Sequence, residues 1–103
     1  MAFQRSVFFK FKESATEEEI QRHFDSFAGL KDTIDVIFSY SAGRAVPPPE
    51  NPDLEPEYDA FHYATYATEA DIAVYHRHKA HQAFVAENKD IWEKVLVLNA
   101  RIE

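Results

Sequence analysis

The chain contains no cysteine. Disulfide bonds, thiolate nucleophiles and cysteine-ligated zinc sites are therefore excluded. No apolar run approaches the roughly 20 residues that cross a bilayer as a helix, and the first residues lack the apolar stretch and the small-residue cleavage site of a signal peptide. We therefore expect a cytoplasmic protein that does not engage a membrane.

Basic residues are also scarce. The chain has 11 lysines and arginines against 18 aspartates and glutamates, so its formal net charge is −7. The few basic residues are scattered along the sequence, and an acidic surface repels the phosphate backbone of nucleic acids. The sequence therefore predicts a protein that does not bind nucleic acid.

Aromatic side chains, in contrast, are abundant. Nine phenylalanines occur among 103 residues, and the apolar fraction is 46%. This composition excludes a disordered chain, and the length suffices for one hydrophobic core. No internal repeat, low-complexity tract or linker divides the sequence. We predict a single domain over residues 1–103.

Alternation of apolar and polar side chains predicts strands over about residues 3–11, 35–46, 58–67 and 95–102. Helical spacing of apolar residues predicts a first helix over residues 17–31, which Thr16 and Glu19 begin as a capping box. A second helix is predicted from about residue 68 to residue 89, with an interruption near residues 77–79. The elements therefore follow the order βαββαβ.

This order predicts an α+β fold of the ferredoxin-like kind, a four-stranded antiparallel sheet with both helices on one face. Both faces of the predicted strands nevertheless carry apolar side chains, since Phe8 opposes Phe9 and Leu96 opposes Val97. An antiparallel sheet that is open to water on one side is normally polar on that side. We therefore expect two copies to pair through their sheet faces as a homodimeric α/β barrel.

Residues 75–81 concentrate one tyrosine and three histidines. On a helix, His78 and His81 share one side with Tyr75, which lies one turn upstream. Imidazole is the side chain most easily poised to move a proton near neutral pH, and a phenol is a good hydrogen-bond partner for an enol or carbonyl oxygen. If this protein is an enzyme, the sequence predicts that its chemistry occurs here.

Three segments resemble the stress-responsive A/B barrel (Dabb) family of dimeric α+β barrel proteins. Residues 7–12 (VFFKFK) are similar to the first strand of the family. Residues 75–81 (YHRHKAH) are similar to its second-helix motif, usually Tyr-x-x-His-Pro-x-His, and residues 92–98 (WEKVLVL) to its last strand. The resemblance spans essentially the whole chain, and it implies the ferredoxin-like fold and a homodimer.

In a plant polyketide cyclase of this family, the tyrosine and the final histidine of the motif are the catalytic pair, and the reaction needs no cofactor. The resemblance therefore implies Tyr75 and His81 as candidate catalytic residues, with His81 as general base and Tyr75 as hydrogen-bond donor. The alternative, which we favour, is a structural polar cluster in which His81 bonds a backbone carbonyl and Tyr75 packs under the helix. The chain departs from the pattern at Lys79, where the family has proline, and at Arg5, where the cyclase has a histidine.

Most of the family has no established activity. The resemblance therefore implies a small-molecule-binding protein or a structural stress module, with a cofactor-free lyase or cyclase of a carbonyl substrate as the alternative. A quinol-oxidising oxygenase, known elsewhere in the superfamily, shares only the fold.

Three further residues are candidates for binding a substrate. His78 can contact a substrate or orient His81, or it can satisfy backbone carbonyls at a helix end. His62 lies between small residues on the third predicted strand, which leave room for a cavity or, as we favour, accommodate large aromatic side chains of the neighbouring layer. Arg5 can neutralise a carboxylate or phosphate of a substrate, or pair with a glutamate. His23 lies off the apolar stripe of the first helix, and we expect it in solvent.

A metal site is the remaining interpretation of the histidine-rich segment. Imidazole is a common ligand of Zn, Cu and Ni. His76, His78 and His81 do not converge easily on one helix, and no carboxylate or cysteine follows at a matching spacing. We therefore expect neither a metal nor another cofactor.

Overall fold

The structure is a computed structural model and describes residues 2–103. Within this range one antiparallel sheet contains four strands, β1 (Phe3–Phe11), β2 (Ser39–Arg44), β3 (Ala60–Tyr66) and β4 (Trp92–Arg101). The same range contains three α-helices, α1 (Glu17–Thr33), α2 (Glu69–Arg77) and α3 (Lys79–Asn88). A 3-10 turn at Lys89–Ile91 leads into β4. The predicted βαββαβ order is confirmed, with the second helix in two parts.

The strands lie in the order β2-β3-β1-β4, so the two central strands are β3 and β1. Val7 of β1 lies opposite His62 of β3 and Val97 of β4, and these residues face the helices. One residue further along, Phe8 lies opposite Phe61 and Leu96 on the other face. The register therefore separates a face that the helices cover from a face that they leave open.

Helix α1 begins where its capping box predicts. The Thr16 hydroxyl accepts a hydrogen bond from the Glu19 backbone N–H at 3.1 Å, and the Glu19 carboxylate accepts one from the Thr16 N–H at 2.9 Å. These two bonds satisfy amides that have no partner within the helix. The helix continues to Thr33, two residues beyond the predicted end.

The second strand is shorter than predicted. Residues 35–46 were expected to be extended, but β2 covers only Ser39–Arg44. The Ile37 N–H donates to the Ile34 carbonyl, which folds the chain into a turn after α1. This turn buries Ile37 in the core and leaves Phe38 exposed, so the predicted alternation across these residues is wrong.

The helix interruption lies at His78, inside the predicted range. Its backbone is extended, with φ −64° and ψ 141°, and its Nδ1 accepts a hydrogen bond from the Ala80 N–H at 3.0 Å. His78 therefore caps the N-terminus of α3, where backbone donors need an acceptor. Its backbone N–H donates to the Tyr75 carbonyl at the end of α2, but its ring accepts from an amide and satisfies no carbonyl there, contrary to one interpretation of the sequence. The break persists although Lys79 occupies the position of the family's proline.

The core lies between the sheet and the helices and is largely aromatic. The helices cover β1 and β3 more completely than β4. Val95 and Val97 of β4 face the helix layer but are 42% and 41% exposed. The incomplete cover leaves a cleft between β4 and the pair α2–α3. None of the helices in residues 2–103 has the length and apolar character that spanning a membrane requires.

Candidate functional site

A cleft of about 150 Å³ lies between α2–α3 and the helix-covered face of β1 and β4. Most of its lining is apolar, and four of the lining side chains carry polar chemistry: Arg5, Tyr75, His76 and His81. Three of these, Arg5, Tyr75 and His81, were predicted as site residues and come from two distant segments of the sequence. The fold brings them together because β1 is a central strand beneath the helix break.

Tyr75 lies on the inner side of α2 and is only 2% exposed. Its ring lies 4.6 Å from that of His81 and 5.6 Å from that of Tyr66, measured between centroids. The hydroxyl has no hydrogen-bond partner within residues 2–103, and in this range no fully enclosed side-chain polar atom lacks one. The hydroxyl is therefore not fully enclosed, and the Tyr75 side chain lines the cleft. Burial raises the pKa of Tyr75, against the opposing charge of Arg5, so this group is a neutral phenol that can donate a hydrogen bond.

His81 is half-buried near the start of α3. Its Nδ1 lies 3.1 Å from the backbone carbonyl oxygen of His76, on the other side of the helix break. A carbonyl only accepts, so Nδ1 carries the proton and Nε2 of the neutral ring keeps a free lone pair.

Burial lowers the pKa of His81, and the charges of His76 and Arg5 lower it further. The bond to the His76 carbonyl opposes this shift but does not reverse it. The ring is therefore predominantly neutral at neutral pH, which is the form that acts as a base.

Arg5 projects from β1 into the same cleft. Its nearest polar contact is Asn99, whose Oδ1 accepts from Nη1 at 3.4 Å. Within residues 2–103 no carboxylate lies within 4.0 Å of this guanidinium, so the glutamate pairing that the sequence allowed is absent there. The cleft therefore contains a positive charge without a counter-charge in contact.

His62 and His23 form a hydrogen-bonded chain in the core, and both are 0% exposed. The Trp92 indole N–H donates to Nδ1 of His23 at 3.0 Å. Nε2 of His23 lies 2.9 Å from Nε2 of His62, and Nδ1 of His62 lies 2.7 Å from the Tyr40 hydroxyl oxygen. The expectation that His23 lies in solvent is wrong.

The Trp92 indole sets the direction of donation along this series of hydrogen bonds, because an indole N–H can only donate. His23 accepts at Nδ1, so its Nε2–H donates to His62, and the Nδ1–H of His62 donates to the Tyr40 hydroxyl oxygen. Burial lowers the pKa of His23 to about 4. Burial, assisted by the nearby His23, lowers that of His62 to about 3. Both imidazoles are therefore neutral, as the bond between their Nε2 atoms requires.

The spacing of residues along α1 indicates that His23 is buried, although its side chain is polar. Residues 20, 23, 27, 30 and 34 have helical spacing, and the last four of them are buried.

His62 uses both ring nitrogens inside the protein, so a contact with a substrate requires one of these bonds to break. Its role in binding a substrate stays a prediction.

His78 and His76 lie around the helix break with different surroundings. His78 lies outside the lining of the cleft, because its ring caps α3. His76 lines the cleft, and its ring centroid lies 5.3 Å from that of His81. His76 was not predicted as a site residue, because residues 76 and 81 do not converge on one uninterrupted helix. Within residues 2–103, no three histidine, aspartate or glutamate side chains are arranged to hold a metal ion.

Comparison with known proteins identifies the family. The model of the stress-responsive A/B barrel domain, Dabb, matches residues 3–101. No curated protein gives a significant match. Among solved structures, a hydroxynitrile lyase from Passiflora edulis is 19% identical with a TM-score of 0.87, over 99% of this chain and 94% of that chain.

Two bacterial structures are also similar. A Dabb family protein with a ferredoxin-like fold from Mesorhizobium loti is 19% identical, with a TM-score of 0.80 over 99% of this chain and 97% of that chain. A dimeric ferredoxin-like protein of unknown function from Thermobifida fusca is 16% identical, with a TM-score of 0.84 over 99% of this chain and 92% of that chain. These likenesses establish the fold, and the family match over residues 3–101 shows that this chain belongs to the stress-responsive A/B barrel domain family.

Proposed function

We propose that this protein binds a small carbonyl compound in the Tyr75–His81 cleft and transfers protons to and from it without a cofactor, as a lyase or cyclase does. One observation carries the proposal. The Tyr75 hydroxyl and Nε2 of His81 belong to rings 4.6 Å apart that line one cleft, and neither atom is engaged by the protein. A donor and a base that are both available to a ligand suit chemistry next to a carbonyl group.

The two residues have complementary tasks in this mechanism. Nε2 of His81 takes the acidic proton next to the carbonyl, which contributes on the order of 10²–10⁴-fold to the rate. The Tyr75 O–H donates to the carbonyl oxygen as negative charge develops on it, which contributes about 10²–10³-fold. The His76 carbonyl holds Nδ1–H and so presents the basic nitrogen to the cleft.

A neighbour in fold supports this chemistry by analogy. The Passiflora edulis protein is a hydroxynitrile lyase, so a chain of this fold is compatible with lyase activity. The competing proposal is a ligand-binding or structural stress module without turnover. The hydrogen bond from His81 to the His76 carbonyl favours it, because this bond also ties α3 to α2.

Hydrogen–deuterium exchange at the carbon next to a ketone distinguishes the two proposals. We expect the protein to accelerate exchange into butanone in D₂O, measured by proton NMR, and His81→Gln to lower that rate by about 10²-fold or more. Tyr75→Phe removes only the donor and should lower the rate by about 10²-fold. Tyr58→Phe, outside the cleft, is the matched control.

The melting temperature completes this test. A catalytic His81 predicts that His81→Gln loses exchange while the melting temperature stays within a few degrees. If the wild type does not accelerate exchange, or if His81→Gln lowers the melting temperature sharply and keeps the rate, the structural module is the correct function.

We also infer that two copies pair through the open faces of their sheets. Apolar side chains of three neighbouring strands, including Phe8, Tyr63 and Leu98, lie on the face without helices. A solvated face of this composition is unusual for a protein of this size. The Thermobifida fusca neighbour is described as dimeric, which supports a dimer here.

A further inference from the structure

A larger cleft of about 500 Å³ adjoins the Tyr75–His81 cleft, between α2 and the paired ends of β1 and β4. Arg5 and His76 line both clefts, so the two spaces meet at these side chains. The outer cleft adds Arg101, Asn99 and Glu69 to the lining. A ligand at Tyr75 and His81 can therefore extend past Arg5 into a more polar space.

The outer cleft collects positive charge in an acidic protein. Arg5 and Arg101 face one carboxylate, that of Glu69, although acids outnumber bases by 18 to 11 in the chain. Neither arginine has a carboxylate within 4.0 Å in the described part of the chain. In contrast, Arg44 binds both carboxylate oxygens of Glu17, at 2.6 and 3.0 Å.

Two guanidinium groups that have no carboxylate partner lie beside a partly enclosed space. They are complementary to the carboxylate of a ligand. Guanidinium binds carboxylate through two parallel hydrogen bonds, and such bonds gain strength when water is partly excluded. Both arginines lie on the helix-covered face of the sheet, because Arg101 is the register partner of Phe3. A dimer through the open faces therefore leaves them accessible.

We propose that the substrate is a carbonyl compound that also carries a carboxylate, a small keto acid. Its carbonyl lies between Tyr75 and His81, and its carboxylate lies between Arg5 and Arg101. This inference rests on the proposed function and adds the class of substrate to it.

The chemical step needs no further reactant. The C–H bond next to the ketone breaks, its proton moves to Nε2 of His81, and its electron pair forms the enolate that the Tyr75 O–H stabilises. Return of a proton from His81 restores the ketone. In D₂O the proton on Nε2 exchanges with the solvent before the return step, so the ketone receives deuterium and the original proton passes to the solvent. Each such cycle exchanges one hydrogen without any net oxidation or reduction.

The test uses 4-oxopentanoate and its methyl ester, which share the ketone and differ in charge. Dissociation constants are measured by NMR titration and exchange rates by proton NMR in D₂O. We expect the acid to bind at least tenfold more tightly than the ester. Arg101→Gln and Arg5→Gln should each weaken binding of the acid by about tenfold and weaken binding of the ester much less. Arg22→Gln, an exposed arginine on α1, is the matched control.

The outcomes separate this inference from the proposed function. If the ester binds as tightly as the acid and both exchange in a His81-dependent manner, the function stands and the keto-acid inference is overturned. If the acid binds in an arginine-dependent manner but the wild type exchanges neither probe, the carboxylate site stands and the proton-transfer function fails. If the Arg5→Gln variant does not fold, the Arg101→Gln variant alone provides the test. If that variant binds the acid as tightly as the wild type does, the inference is overturned.

Discussion

Hydrogen bonding decides what chemistry is open to each histidine of this chain. His23 and His62 use both ring nitrogens within the core, and His78 uses Nδ1 to cap α3. His81 uses only Nδ1, on a backbone carbonyl, and its Nε2 remains free at the cleft. Four side chains of one type therefore have a structural or a chemical role according to their partners.

The buried pair makes the protein sensitive to acid. The pKa values of His23 and His62 are about 4 and about 3 in the fold, against about 6.5 in an unfolded chain. Because the folded-state values are lowered, the unfolded chain binds more protons below about pH 6.5. The contribution of this pair to stability is fully present above about pH 6.5 and is lost as the pH falls to about 4 for His23 and about 3 for His62.

We therefore expect the free energy of unfolding, measured with urea, to fall by on the order of 3 kcal/mol for each of the two histidines between about pH 7 and about pH 4. Nitrogen-15 NMR provides the specific check. His23 should be the Nε2–H tautomer and His62 the Nδ1–H tautomer at neutral pH. Doubly protonated rings at about pH 6, or the opposite tautomers, would contradict the assigned direction of the chain.

At the scale of elements, the break between α2 and α3 builds the site. An uninterrupted helix would point residues 76 and 81 in different directions, because side chains meet at spacings of three or four. The extended backbone of His78 instead brings the His81 ring to the His76 carbonyl. The family's proline is not needed for this geometry, since the cap at Ala80 stabilises the start of α3.

The break predicts how proline is tolerated at the first two residues of α3. Lys79 is the first residue of α3, where proline fits, and the extended backbone of His78 suits a residue before proline. Lys79→Pro should therefore leave stability unchanged or raise it by about 0.4–1 kcal/mol. Ala80→Pro removes the amide that binds His78 and should cost about 1 kcal/mol or more. Urea unfolding of both variants is the measurement, and equal effects would contradict the assigned cap.

Local patterns predicted most elements but not all of their boundaries. The alternation over β1 and the Thr16 capping box involve neighbouring residues, so these elements were predicted closely. The start of β2 was not, because the turn after α1 is stabilised by the burial of Ile34 and Ile37. That burial depends on the sheet beneath, which no local pattern contains.

At the scale of the whole molecule, the apolar open face makes an oligomer the expected state. We expect sedimentation velocity at micromolar concentration to show two copies. Leu98→Asp, at a side chain 53% exposed on this face, should shift the protein to a monomer because a buried unpaired carboxylate is costly. Val74→Asp changes an exposed apolar residue on α2 and should leave the dimer intact. A monomeric wild type would refute this arrangement.

The sequence by itself determined the order of the elements, the helix break and the candidate pair Tyr75 and His81, because periodicity, capping and a short motif are local properties. Only the tertiary structure decided that His23 is a core residue and that Arg5 faces the pair without a counter-charge. Both outcomes depend on which distant segments pack together. A side chain's partners set its protonation and its availability, and those partners come from other strands and helices.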